Sequence, residues 1–300
     1  MTKIKFCFRK LPLILFTISL GTLSSLTLSC NSGSGGNEQT TAQDTVSTQV
    51  KEPVSARPAH WGYDGDDGPS AWASLDPVYA LCGTGKGQSP INIEKKDAKG
   101  GTNWHFDYKT TSLKIAHNEH MDDIIDNGHT IQVSVNEGSD FTFGDKTYHL
   151  KQFHFHTPSE HTIDGKHLPM EMHLVHQSED KSLAVVSVFF EEGKANDNIA
   201  KIVANLPNTK GESKHLQDVN LELNHYLPEH NHAYHYMGSL TTPPCSEQVQ
   251  WVVLQKPLIA STEQIKAFSS RIGANNRPIQ PANGRTIDAV ILSEKVVGNK

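Results

Sequence analysis

Alternation is the commonest apolar pattern in this chain. Ile131, Val133 and Val135 alternate with Gln132 and Ser134, and Phe141 and Phe143 repeat the spacing of two. Apolar residues at every second position make one face of a half-buried strand. Leu183 to Phe190 and Trp251 to Leu254 are instead nearly unbroken apolar runs, the pattern of central strands covered on both faces. Helical periodicity is scarce. It predicts one helix over 197–206 and a clearer one over 262–272, where Ser261 can cap the N-terminus and Gly273 can end it. The pattern predicts a mainly β domain with a few short surface helices.

The N-terminus reads differently. Lys3, Lys5, Arg9 and Lys10 precede an apolar stretch over 11–28 that contains Pro12, Gly21 and several Ser and Thr, suiting a removable signal better than a permanent membrane helix. The stretch ends Leu26-Thr27-Leu28-Ser29-Cys30, which resembles a bacterial lipoprotein cleavage site with Thr27 where leucine is usual. The expectation is a signal peptide over 1–29 and lipidation of Cys30; ordinary secretory cleavage nearby is the alternative. Residues 30–57 are dominated by Gly, Ser, Thr and Gln with no recurring apolar position, the composition of a flexible tether. No second linker and no internal repeat follows, so 58–300 is expected to be one domain.

At 36% hydrophobic and 20% charged, the domain can bury a substantial core. The net charge of −6 comes without a basic cluster, which argues against a nucleic-acid surface. Of four cysteines, Cys7 would leave with the signal and Cys30 would carry lipid. Cys82 and Cys245 remain, either paired in an oxidising compartment or standing as two separate buried thiols.

The 17 histidines are the unusual feature of the composition. In Gln152-Phe-His-Phe-His156, a strand would turn His154 and His156 to one face and Phe153 and Phe155 to the other. A second strand, Met170 to His176, puts Glu171, His173 and Val175 on one face. Antiparallel pairing could bring His173 to the same point. Three neutral imidazoles would leave a tetrahedral metal one open position, as catalytic zinc sites require. Gln152 and Glu171 each stand two residues before a histidine, placed to accept its second ring proton. The plain alternative is a set of polar residues lining a half-exposed sheet. Four further histidines, His225, His230, His232 and His235, lie outside this pattern. They are read as surface or loop residues, the rival being a zinc-capturing protein.

At these residues the chain resembles the α-class carbonic anhydrases. The resemblance is carried by Gln152 to His156, Ser159-Glu-His161 and Glu171 to His176, and by five further blocks in the family's order. These are His60-Trp-Gly-Tyr63, Gly87 to Ile93, Asn127-Gly-His129, Gly238 to Pro244 and Asn276 to Pro281. The resemblance implies a large twisted, mostly antiparallel sheet with zinc at the base of a conical cleft, held by His154, His156 and His173. The implied activity is reversible hydration of carbon dioxide to bicarbonate by a zinc-activated hydroxide. Thr241 and Glu160 would orient the hydroxide. Val175, Val185, Leu240 and Trp251 would form an apolar wall for carbon dioxide, with Thr242 contacting solvent or bicarbonate. His129 would shuttle protons along waters ordered by Tyr63, Asn127 and Gln132, the last standing where vertebrate members commonly have asparagine. The resemblance also implies a Cys82–Cys245 disulfide. The leader, the tether and the cysteine count make the chain an exported, periplasmic or cell-envelope protein touching a membrane only through its lipid anchor. The resemblance to exported bacterial members implies a monomer or homodimer.

Overall fold

A computed structural model describes residues 59–95, 101–102, 104–118, 129–228 and 232–292. The leader, Cys30 and the tether lie outside the described residues, as does Asn127. All described residues fall in the compact unit that spans 53–300.

The strands in chain order begin with β1 (Asn92–Ile93), β2 (Gly101–Thr102), β3 (Trp104–Asp107), β4 (Thr110–Asn118), β5 (Thr130–Ser134) and β6 (Asp140–Phe143). Next come β7 (Lys146–His156), β8 (Thr162–Ile163), β9 (Lys166–His167), β10 (Met170–Gln177) and β11 (Leu183–Glu192). The series closes with β12 (Ser213–Glu222), β13 (His232–Ser239), β14 (Glu247–Leu254), β15 (Leu258–Ala260) and β16 (Asp288–Leu292). Helices are short: α1 (Trp72–Leu75), α2 (Leu81–Thr84), α3 (Asp197–Val203) and α4 (Thr262–Ile272).

Most strands join one sheet in the order β12-β4-β5-β7-β10-β11-β14-β13-β16-β2, and β1, β8 and β9 form a small second sheet. The large sheet is mixed. Its hairpin-connected pairs are antiparallel, but β11 runs parallel to β14 and to β15, and β16 runs parallel to β2. The apolar run in β11 fits this place, since it is buried from Ala184 to Phe190 with partners on both sides.

The alternating and continuous patterns are thus recovered as β5, β6, β11 and β14. α4 has the expected bounds. Ser261 Oγ accepts from Gln264 N, Gln264 returns the bond to Ser261 N, and Gly273 ends the helix at φ 67°. α3 stops at Val203, three residues short of the apolar pattern. Leu206 is still buried, in the turn beyond the helix, so the core claims the residue without claiming a helical backbone.

The two faces of the β7–β10–β11 region bury different chemistry. Behind it, Phe153, Phe155, Met172, Leu174, Val186 and Val188 belong to the main core. In front stands a second cluster containing Val175, Val185, Tyr236 and Trp251. Within the main core His176 is fully buried, and its Nδ1 donates to the Ala184 carbonyl at 3.3 Å. That fixes Nε2 as the acceptor for the Tyr108 hydroxyl at 2.6 Å.

Burial lowers the His176 pKa to about 3. An unfolded histidine titrates near 6.5, so below that pH the unfolded chain takes up a proton that the folded chain refuses. The contribution is complete above pH 6.5 and is lost as pH falls toward 3. Between pH 7 and 5 this one residue should remove about 2 kcal/mol. Denaturant unfolding of His176→Gln should show a shallower loss over that interval, whatever its stability at pH 7. An unchanged slope would discount His176 as a source of acid sensitivity.

Candidate metal centre and cleft

The site is built by strand register. β7 and β10 pair antiparallel with His173 opposite His154 and Glu171 opposite His156. Since side chains alternate, this register turns all three imidazoles to one face and Phe153, Phe155, Met172 and Leu174 to the core. Ring centroids are 5.1 Å apart for His154–His156, 5.3 Å for His154–His173 and 4.5 Å for His156–His173. One nitrogen from each ring lies within 4.8 Å of the others, so one cation can be reached by all three.

Each ring is held through its other nitrogen. His154 Nδ1 donates to Gln152 Oε1, His156 Nδ1 to the Asn275 carbonyl and His173 Nε2 to Glu171 Oε1, all at 2.8 Å. These acceptors fix the tautomers, placing electron pairs on Nε2 of His154, Nε2 of His156 and Nδ1 of His173. Burial lowers the pKa of His156 to about 4 and also lowers that of His173. Neutral rings are what a metal needs.

Glu171 is fully buried. Burial alone would raise its pKa. The charges of His161 and His173 and the hydrogen bonds from both hold it well below the usual carboxylate range. Its oxygens accept from His161 N (2.8 Å), His161 Nδ1 (2.7 Å) and Ser187 Oγ (2.6 Å) besides His173. His161 Nε2 is hydrogen-bonded with the Tyr236 hydroxyl at 2.7 Å. The Tyr236 hydroxyl is also hydrogen-bonded with Ser89 Oγ at 2.9 Å. A line of buried hydrogen bonds thus runs from Ser89 through Tyr236 and His161 to Glu171, which also accepts from the His173 ring. His161 lay inside the quoted Ser-Glu-His block, but its role as a brace was not legible there. Asn275 was missed altogether, because a backbone carbonyl has no sequence signal.

Glu160 is likewise buried. Burial raises its pKa to about 7, against the pull of His173, the Arg277 N–H and the Thr241 hydroxyl. Arg277 N donates to Glu160 Oε1 at 2.8 Å, and Oε2 lies 3.6 Å from His156 Nε2. Arg277 is itself buried. Its guanidinium donates to Gln88 Oε1 (2.9 Å) and to the carbonyls of Ser89 (2.7 Å) and Cys82 (2.8 Å). Cys82 is disulfide-bonded to Cys245, and Cys245 N donates to Thr242 O at 2.8 Å, which closes the turn carrying Thr241 and Thr242.

The apolar wall is assembled across three strands. Val175 on β10 is opposite Val185 on β11, which is opposite Trp251 on β14, and Leu240 packs on the same cluster. Trp251 is fixed by its Nε1 donating to Ser239 O at 2.9 Å. Gln132 sits opposite His154 on β5. Tyr63 Oη, Gln132 Oε1 and Gln152 Nε2 are buried and have no hydrogen-bond partner among the described residues.

His129 precedes β5. Its Nε2 donates to the Trp61 carbonyl at 3.0 Å, and its ring lies 5.1 Å from that of Trp61 and 5.4 Å from that of Tyr63. Burial lowers its pKa, partly offset by the Trp61 carbonyl. Of the additional histidines, His225 and His232 are exposed and His235 pairs with Gln250 Oε1 at 2.6 Å, while His230 lies outside the described residues. Among the described residues, the candidate metal groups are His154–His156–His173 and the overlapping His161–Glu171–His173.

A family model described as eukaryotic-type carbonic anhydrase matches residues 67–291. The chain is 44% identical over 229 residues to a carbonic anhydrase of Pectobacterium carotovorum, covering 76% of this chain and 90% of that protein. It is 39% identical over 248 residues to a carbonic anhydrase of a Nostoc species, covering 81% and 90% respectively. A solved α-carbonic anhydrase of Thermovibrio ammonificans, in complex with the inhibitor sulfanilamide, is similar at a TM-score of 0.71. It is 40% identical, covering 76% of this chain and 98% of that one.

Proposed function

The chain belongs to the eukaryotic-type carbonic anhydrase family of enzymes, and from that premise we propose that it hydrates carbon dioxide reversibly with one zinc ion at His154, His156 and His173. The observation that carries the reading is the set of three converging imidazoles, each with its tautomer fixed by a separate acceptor. Three neutral ligands leave the full charge of the ion on whatever fills the fourth position. Bound there, zinc supplies a nucleophile at neutral pH by lowering the pKa of water from about 15.7 to about 7.

The chain's own residues do the rest. Thr241, by turning its hydroxyl proton toward the nearby Glu160 carboxylate, would offer an acceptor lone pair that aligns the attacking oxygen with the substrate carbon. Glu160 must be ionised for this, and a cation at the histidines would hold it below its value of about 7. Val175, Val185, Leu240 and Trp251 give uncharged carbon dioxide an apolar surface, and Thr242 borders it for bicarbonate or solvent. The unmatched polar atoms of Tyr63, Gln132 and Gln152 supply anchoring points for a water chain toward His129, which Asn127 would extend.

The His129 ring is neutral at pH 7 and so can accept the product proton. His129→Ala should reduce turnover in dilute buffer by about tenfold or more while leaving kcat/KM near wild type, and added imidazole should restore it. Equal losses in both parameters without rescue would remove His129 from the proton path.

The Cys82–Cys245 disulfide supports export to an oxidising compartment, with a signal over 1–29, lipid on Cys30 and a tether over 30–57 as the proposed route to the cell envelope. Stopped-flow carbon dioxide hydration, with zinc counted on the same sample, tests the whole reading. Rapid turnover at one zinc per chain that a chelator abolishes is expected. Turnover that survives complete zinc removal would overturn it.

A further inference from the structure

A hollow of about 440 Å³ opens on the main-core side of the sheet, away from the three converging histidines. That volume is in the range of small-molecule sites. One wall is the end of the turn Leu223–Tyr226 together with Leu227 and Pro228. The facing wall is the segment from Lys256 to Ile259 that enters β15, and Asn198 in the first turn of α3 closes a third side.

These walls are fixed by the fold itself. The Tyr226 hydroxyl donates to the Asn198 carbonyl at 2.9 Å, and Asn224 Nδ2 donates to the Tyr108 carbonyl at 3.1 Å. Asn196 Nδ2 donates to the Ile259 carbonyl at 3.1 Å, while Leu258 and Ile259 pair with Phe190 and Glu191 of β11. Pro228 and Pro257 stiffen the two walls further, since each ring locks its own φ. The lining is mainly apolar, and Ile259 is left 41% exposed beside it. Covering such a surface favours a ligand with an aliphatic body.

The polar lining is one-sided. Lys256 and His225 are both exposed there, and no acidic side chain among the described residues lines the hollow. Lys256 brings a cation and the His225 ring an N–H donor, which together match a single anionic head. We propose that this hollow binds a carboxylate with a medium-length aliphatic chain, its head on Lys256 and His225 and its chain along Leu227, Pro257, Leu258 and Ile259. His225, which the metal centre does not use, is then a recognition residue of a separate site.

Calorimetric titration of the zinc-loaded protein with octanoate tests the proposal, and amide NMR shifts locate the ligand. One octanoate per chain is expected at a Kd of about 1 mM or tighter, with shifts concentrated at 224–227 and 256–259. Each methylene taken fully from water multiplies affinity roughly fourfold, so hexanoate should bind several-fold more weakly. Lys256→Glu replaces attraction with repulsion and should weaken octanoate about tenfold. Ile259→Asp, which puts a like charge against the chain, should weaken it at least as much. Both substitutions are at exposed positions outside the cleft, so carbon dioxide turnover should stay at the wild-type rate. Octylammonium should not bind. Octanoate affinity unchanged in either variant would overturn the site, as it would if the anion sat on the zinc instead. Octylammonium binding as tightly as octanoate would overturn the anion recognition, and no octanoate binding at tenfold the expected Kd would end the proposal.

Discussion

His173→Ala should release the zinc and abolish hydration together, lowering turnover by about three orders of magnitude or more. On the proposed zinc reading, removing His173 would leave an ion only the two imidazoles on β7 and take away the ligand that spans to β10. With no ion to lower its pKa from about 15.7 to about 7, water at the site would supply no hydroxide near neutral pH. The substitution also strips Glu171 of one of its four donors, leaving His161 and Ser187 to hold the carboxylate. Metal analysis after dialysis against a weak chelator, beside stopped-flow hydration, reads both effects. His225→Ala, at an exposed histidine away from the cleft, should leave both unchanged. Stoichiometric zinc and wild-type turnover in His173→Ala would show the ligand assignment to be wrong. Several exchangeable zinc ions per wild-type chain would favour metal capture over catalysis.

The second large effect belongs to a residue that touches no substrate. Arg277→Ala should destabilise the fold by about 4 kcal/mol, because it leaves three buried acceptors without a donor. Those acceptors are Gln88 Oε1 and the carbonyls of Ser89 and Cys82, almost two hundred residues away in sequence. The guanidinium also lies over the Trp72 ring, at 5.6 Å. Arg277→Lys should recover only part of the loss, since an ammonium cannot reproduce the planar fork. Denaturant unfolding measures both variants. A loss below about 1 kcal/mol in Arg277→Ala would mean that solvent replaces the guanidinium without penalty. The backbone N–H of residue 277 to Glu160 does not depend on the side chain, so stability should fall before the geometry of the cleft does.

Much of this protein was legible in local pattern. Alternation and unbroken apolar runs marked β5, β6, β11 and β14 because a strand's side-chain period is two and burial on one or both faces writes directly into that period. The same period placed His154 with His156 and Glu171 with His173, since residues two apart on a strand share a face. Ser261 and Gly273 bounded α4 because caps act within four residues of their own position. The end of α3 was less legible: Leu206 continues the apolar rhythm, yet burial there is met from a turn.

What the sequence determined by itself, then, was everything governed by spacing along one chain segment: strand faces, helix caps, the paired histidines and their neighbouring acceptors. Only the tertiary structure decided what depends on register and on distant backbone. The antiparallel offset of β7 and β10 sets His173 against His154, and the Asn275 carbonyl arrives at His156 from 119 residues away. Parallel pairing of β11 with β14 lays Trp251 beside Val185. The disulfide and Arg277 tie residues 82–89 to the far end of the chain. The physical reason is that a side chain's period is fixed locally, whereas its partner across a sheet is fixed by the sum of all pairings. A carbonyl that accepts a hydrogen bond is common to every residue type, and its identity leaves no mark in the sequence.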